Sequence, residues 1–325
     1  MKPAITLKNL SKTYKVHQKE EGLKGSLKAL FKRKYKTVKA VKNVSFKIKE
    51  GEIVGFMGPN GAGKTTTLKI LSGLLHPTGG EVKVLGFNPY QRKNQFLKQI
   101  GLVMGQKNQL YWDLPPLETF NLNKEIYEID KKTYKKTLDY LIKNLDIKKI
   151  IHNPSRTLSL GQRMKCEIAN ALIHTPKVLF LDEPTIGLDV VIQKKLRQFI
   201  KDYNQKHKAT IILTSHYMGD FEELCKRLIV IDHGKLGYDG DFEKFIQQYA
   251  KEKRINLTFL KKVKKKDLAK LGKVVAFNPY KAAIRIKREE TTSVAGKLLK
   301  KFPIDDIDIS EISTESIVRK LFAKG

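Results

Sequence analysis

Residues 51–71 read GEIVGFMGPNGAGKTTTLKIL. Residues 52–57 carry an apolar, β-prone run. Gly58-Pro59-Asn60-Gly61-Ala62-Gly63-Lys64-Thr65 then spells G-x-x-x-x-G-K-T, and Leu68, Leu71 and Leu75 follow at helical spacing. The motif therefore lies on a strand–loop–helix, the setting its chemistry requires. Glycines let backbone N–H groups turn inward around β- and γ-phosphates. The helix N-terminus adds the positive end of its dipole. Lys64 brings a mobile positive charge, and the Thr65 hydroxyl can ligate Mg²⁺. The alternative, a glycine-rich turn with a chance lysine, sits poorly with this setting.

A second run, KVLFLDEPTIGLD, covers residues 177–189. Val178 to Leu181 are continuously apolar, as in a strand buried on both faces. Asp182 ends that strand, placed to hold Mg²⁺ through water. Glu183 follows, where a carboxylate can orient and polarise a water attacking a γ-phosphate. A third strand, ATIILTSH, ends at His216. At a sheet's carboxyl edge, where open α/β sheets bind ligands, His216 could donate to that phosphate. A structural strand-end histidine is its alternative reading.

The chain has 325 residues, enough for one large domain or two. No run approaches the roughly 18 apolar residues of a membrane helix, and MKPAITLKNL lacks an apolar signal core. A cytoplasmic protein is expected. Cys166 and Cys225 make neither a disulfide framework nor a metal pattern. The formal net charge of +31 fits nucleic acid, an anionic membrane surface, or mere solubility. Lysines spread along nearly the whole chain favour the last. Two stretches are denser: Lys24 to Lys42, which contains no acidic residue, and LKKVKKKDLAK at 260–270.

Together these motifs resemble the ATP-binding-cassette (ABC) ATPases over about residues 4–245, in that family's order and spacing. The resemblance implies a cassette with a mixed sheet core and a helical subdomain, an α/β P-loop fold. It implies ATP and Mg²⁺ as cofactors, held by residues 58–66 including Thr66. Gln106, in VMGQKNQLYWDLP, matches the glutamine that senses Mg²⁺ and the attacking water. Asp189 lies in GLD, and His216 matches the switch histidine. LIVIDHGKLGYDGD resembles the strand pair that closes the domain. Tyr14, in LSKTYKV, matches the aromatic that stacks on adenine, with strand packing as its alternative. LSLGQ, residues 158–162, matches the family signature. In this family two ATPase domains close head to tail. Ser159 and the Gly161 backbone, with Gln162 beside them, would then meet the γ-phosphate held by a partner's Lys64. Leu160 departs from the usual glycine. It is tolerated if its φ is negative and its side chain points away from the nucleotide.

More closely, the region resembles the ATPases of exporters whose permeases are separate chains. That implies a transmembrane permease partner, a second ATPase copy or relative, and a place on the inner face of the cell membrane. Residues 105–170 match the helical subdomain that receives the permease. Tyr111 and Trp112 lie near that surface, or else pack within the subdomain. A basic insert at about 17–37 carries Leu23, Leu27, Leu30 and Phe31 at amphipathic spacing. Its apolar face packs on its own domain, or lies against lipid or permease. Residues 250–325 follow the order βαββαβ, which suggests a small ferredoxin-like α+β domain. The competing function is an ABC ATPase acting on ribosomes or nucleic acid. A single cassette, and the absence of sustained heptads in residues 66–158, argue against its common forms.

Overall fold

The computed structural model describes residues 2–18, 34–105, 107–249 and 251–312, together with Ile317 and Leu321. The chain divides into two compact units, Met1–Asp239 and Gly240–Gly325, so the break falls earlier than residue 245.

In the first unit, β1 (Pro3–Gln18) and β2 (Lys34–Lys49) run antiparallel along their whole length. β4 (Gly79–Val84) adds to the other side of β1, giving a sheet of order β2-β1-β4. A second sheet has six strands. Its order is β5 (Ile100–Met104), β6 (Val178–Asp182), β7 (Thr210–Thr214), β3 (Ile53–Met57), β8 (Arg227–Asp232) and β9 (Lys235–Asp241). The first five strands are parallel, which brings their carboxyl ends to one edge. β8 turns into β9 through His233-Gly234, both at positive φ, the geometry of a two-residue hairpin. Every residue of β6 and β7 is buried, as expected of strands covered on both faces. Ile5, Leu7 and Phe46 of the antiparallel sheet join Phe56, Phe180, Ile212 and Ile229 of the parallel one in a single core. That core fixes β3, and hence the loop after it, against two sheets at once.

Helix α1 (Lys64–Leu71) follows β3, and α2 (Asn94–Leu97) precedes β5. Between β5 and β6 come α3 (Pro116–Ile126), α4 (Lys131–Leu145) and α5 (Leu160–Leu172), with α3 and α4 packed on α5. α6 (Val190–His207) joins β6 to β7, and α7 (Met218–Leu224) joins β7 to β8. The helix starts have side-chain caps where the sequence offers acceptors. Asp130 accepts from the Thr133 amide and Asp189 from the Ile192 amide, at 2.9 Å each.

The basic insert is narrower than its sequence suggested. His17 pairs with Tyr35 and Lys15 with Thr37, so residues 34–37 belong to β2. β-prone Tyr35 and Thr37 extend the strand into the end of the expected insert. The amphipathic segment containing Leu23, Leu27, Leu30 and Phe31 lies outside the described residues.

His174, just past α5, is stacked on Tyr127 with ring centroids 3.9 Å apart, and its Nε2 lies 2.8 Å from the Ile100 carbonyl. Burial pulls its pKa down to about 4, below the ordinary histidine value of about 6.5. The unfolded chain therefore takes up the proton first. Stability from this group is complete above about pH 6.5 and is lost as pH falls toward about 4. Between pH 7 and pH 5, urea unfolding should show the wild type losing about 2 kcal/mol more than His174→Gln. Equal losses in the two proteins would refute this account.

The second unit begins with α8 (Phe242–Tyr249). It continues as β10 (Glu252–Phe259), α9 (Lys265–Ala269), β11 (Lys273–Asn278), β12 (Lys281–Lys287), α10 (Thr291–Lys301) and β13 (Ile304–Glu311). The sheet order is β11-β12-β10-β13, with all neighbours antiparallel. This is the split βαβ arrangement. Ile255, Leu257, Phe259, Ile284 and Ile286 form one sheet face under Leu268, Val294 and Leu298 of the two helices. ESIVRKLF, residues 315–322, whose pattern predicts a helix after that unit, lies outside the described residues apart from buried Ile317 and Leu321.

Candidate active site

The loop 58–63 leaves β3 at the carboxyl edge and enters α1. Gly63 caps that helix at φ 103°, and a Cβ there would come within 2.5 Å of the Ala40 carbonyl oxygen. Only glycine fits both demands. Lys64 is buried, and its Nζ donates to the carbonyls of Gly58 at 2.7 Å and Pro59 at 3.1 Å. Its ammonium is thereby held inside the loop. Asn60 and Gly61 are exposed on the loop crest, Pro59 is half-buried and Ala62 is buried. Thr66 is half-buried in the first turn of α1.

Asp182 ends β6, buried, with both oxygens engaged. The Thr65 hydroxyl donates to one at 2.8 Å and the Thr214 hydroxyl to the other at 2.6 Å. Glu183 leaves the strand at φ +56°, in the left-handed region, and its amide is 3.0 Å from Thr214 Oγ1. Such a backbone is strained for glutamate and turns its side chain along the edge. Its Oε1 lies 2.8 Å from His216 Nε2. A cavity of about 340 Å³ opens here, lined by Asn60, Thr65, Lys69, Gly105, Asp182 and Glu183 among others. The fold thus brings Lys64, Thr65, Asp182, Glu183 and His216 to adjacent strand ends. Gln106 lies outside the described residues. Tyr14 lies on β1 opposite Val38, half-buried, with the Lys12 ammonium 5.2 Å from its ring centroid.

Among the described residues no group of three or more His, Cys, Asp or Glu could hold a metal ion. Thr65 and Asp182 are two hard oxygen donors beside a phosphate loop. That set suits a cation completed by phosphate oxygens and water rather than by a protein cage.

Ser159 and Gln162 form a capping box on α5. The Gln162 amide donates to Ser159 Oγ at 3.3 Å, and the Ser159 amide to Gln162 Oε1 at 2.9 Å. Gly161 sits against α6, where a Cβ would fall 2.3 Å from Ile192 Cδ1. Leu160 is helical, so its φ is negative. Its Cδ2 lies toward Gly187, 2.9 Å from where a Cβ on that glycine would stand. The side chain is thus accommodated by the glycine that precedes Leu188-Asp189. Leu160→Gly should lower stability by about 1 kcal/mol, since glycine is a poor helix residue. Its ATP hydrolysis should stay within about threefold of wild type. A larger loss in a steady-state assay would mean that Leu160 touches the nucleotide.

Tyr111 and Trp112 are exposed, at 52% and 49%, so packing within the subdomain does not account for them. The Arg163 guanidinium lies 5.8 Å from the Trp112 ring centroid. Cys166 and Cys225 are buried and free, with burial pushing the Cys166 thiol up to about 12.

Two residues that hold the site together escaped the sequence reading. Asp220, fully buried on α7, accepts from Arg197 at 2.9 Å and from the Thr185 and Ser215 hydroxyls at 2.5 Å each. It ties the segment after Glu183 to the residue before His216. Glu167, buried on α5, accepts the amides of Gln109 at 2.8 Å and Leu110 at 3.2 Å, which anchors the loop after Gln106. Burial raises its pKa against the pull of those amides.

A family model described as ABC transporter matches residues 41–186. A second, the EvrA-like ABC transporter C-terminal domain, matches residues 251–310. The ABC transporter ATP-binding protein NatA of Bacillus subtilis is 34% identical over 233 residues, covering 72% of this chain and 94% of that protein. The bacitracin transport ATP-binding protein BcrA of Bacillus licheniformis is 34% identical over 202 residues, 62% of this chain and 65% of its own length. Among solved structures, the ATP-binding cassette MJ0796, a dimer bound to ADP and Pi, superposes with a TM-score of 0.61 at 27% identity. That match covers 73% of this chain and 98% of the cassette. With the phosphate loop, the carboxylate edge and the capped signature helix in one fold, the chain belongs to the ATP-binding proteins of ABC transporters and is an ATPase.

Proposed function

We propose that this ATPase hydrolyses ATP with Mg²⁺ and drives an exporter whose permease is a separate transmembrane chain. The observation that carries the reading is the convergence of Lys64, Thr65, Asp182, Glu183 and His216 at one sheet edge. The phosphates of ATP lie in the loop 58–63 against Lys64. Thr65 directly, and Asp182 through water, would hold Mg²⁺, with Gln106 as a further contact. Bound there, the ion offsets charge on the β- and γ-oxygens. Glu183 orients the attacking water and accepts its proton. His216, next to Glu183, positions that carboxylate and reaches toward the γ-phosphate. Tyr14 stacks on the adenine.

The half-site at Ser159, Gly161, Gln162 and Asp189 faces the γ-phosphate on a second ATPase chain, so two chains share each nucleotide. The dimeric state of MJ0796 with ADP and Pi supports that arrangement. Export is supported by the resemblance to separate-permease exporters, and the name of BcrA records transport of bacitracin. The permease docks at Tyr111 and Trp112, and the chain works at the inner face of the membrane; the exposure of both rings supports that reading. The unit beyond residue 239 is an accessory domain.

Affinity capture of the tagged chain from detergent-solubilised membranes tests this reading. Recovery of a polytopic membrane protein, with ATP turnover in the captured complex, is expected. Recovery with nucleic acid or ribosomes alone would favour the competing function.

A further inference from the structure

The dense lysine stretch at 260–270 has no role in the ATPase. Its surroundings make it more than a solvated run. Three chain reversals of the second unit are tied together at one end of the sheet. The Phe259 amide donates to the Tyr280 carbonyl at 2.8 Å, the Leu260 amide to Pro303 at 2.9 Å and the Val263 amide to Pro279 at 3.0 Å. The turn after β10, the β11–β12 hairpin and the end of α10 therefore form a single tip.

That tip is strongly basic. Lys261, Lys262, Lys264, Lys265 and Lys266 are exposed, and none makes an ion pair among the described residues. Lys300 and Lys301 at the end of α10, and Lys281 in the hairpin, add three more exposed charges. The acids nearby are Asp267, Asp305 and Asp306, and Asp267 lies 3.8 Å from Lys270. Apolar side chains stand among the lysines: Leu260 is 64% exposed, Leu299 56% and Tyr280 46%. A core would have buried them, and solubility does not call for them.

We infer that this tip is a docking surface for an anionic lipid bilayer. Lysine ammonium groups meet headgroup phosphates as point charges, each adding favourable energy near an anionic surface. Leucine and tyrosine side chains can enter the headgroup–acyl boundary. Nucleic acid fits less well, because among its described residues the tip has no arginine fork to clasp phosphate and a single exposed ring, Tyr280, on which a base could stack. The inference stands apart from the nucleotide site, and its test does not depend on turnover.

The full chain is sedimented with vesicles of phosphatidylcholine alone and with vesicles containing phosphatidylglycerol. Binding to the phosphatidylglycerol vesicles is expected, weakened by salt. The triple variant Lys261→Glu/Lys262→Glu/Lys265→Glu should weaken it about tenfold or more. Leu260→Ser/Leu299→Ser should weaken it severalfold at unchanged charge. A control triple variant on α4, Lys131→Glu/Lys132→Glu/Lys135→Glu, changes net charge equally and should bind within about twofold of wild type. ATP turnover of every variant should match wild type, which certifies folding. No binding by the wild type, an equal loss in the control, or tighter binding to RNA than to these vesicles would each overturn the inference.

Discussion

Glu183→Gln should lower the rate of ATP hydrolysis by about 10²- to 10⁴-fold while leaving ATP affinity nearly unchanged. The amide keeps the shape of the carboxylate but cannot take a proton from water. The backbone that places it does not depend on the charge, since the Glu183 amide is held by Thr214 Oγ1 at 3.0 Å. The bond between Glu183 Oε1 and His216 Nε2, at 2.8 Å, has a counterpart in the variant, so the edge stays assembled. Single-turnover hydrolysis measured beside equilibrium binding of a nucleotide analogue separates the two effects. ATP should also hold the variant as a closed pair, visible by light scattering. Turnover within about tenfold of wild type would remove Glu183 from proton transfer.

Asp220→Ala should destabilise the protein by about 2–3 kcal/mol, the loss expected when buried hydrogen-bonding groups lose a charged acceptor. Arg197 is 7% exposed; it loses its buried partner at 2.9 Å and keeps the half-exposed Glu223 carboxylate at 2.9 Å from Nε. The hydroxyls of Thr185 and Ser215 lose their acceptor in the same step. Asp220→Asn retains an acceptor and should recover part of the loss. Urea unfolding at pH 7 reads both changes. A loss below about 1 kcal/mol for the alanine variant would mean that Glu223 alone satisfies Arg197. Because Thr185 and Ser215 flank the catalytic edge, hydrolysis should fall further than the folded fraction alone accounts for.

Much of the nucleotide edge could be read directly from local sequence. The run from Gly58 to Thr65, and Asp182-Glu183 ending an apolar strand, are contiguous patterns whose geometry follows from a strand–loop–helix unit. Asp220 and Glu167 could not be read in this way. Asp220 meets Thr185 from 35 positions away, and Glu167 meets a backbone amide from 58 away. Only tertiary packing creates those contacts, and a buried acid on a helix carries no local mark. Tyr111 and Trp112 were ambiguous for a related reason. Aromatic residues in a loop look the same in sequence whether they face a core or solvent. The start of β2 was obscured by lysines, whose solvated heads suit a helix face or a strand edge equally.

Helix α5 carries the Ser159 cap at its start and Glu167 eight residues on, about 12 Å along its axis. Between them Arg163 reaches over Trp112. A close-packed helix of this kind moves as a rod, because its interior contacts cannot stretch. A tilt of about 10° about its far end at Leu172 displaces Ser159 by roughly 3 Å and Glu167 by roughly 1 Å in the same direction. Through Glu167 that displacement passes to the amides of Gln109 and Leu110 without any bond having to break. α5 therefore joins the Ser159 cap, proposed to meet a phosphate on a second chain, to the loop of Trp112 through one stiff element.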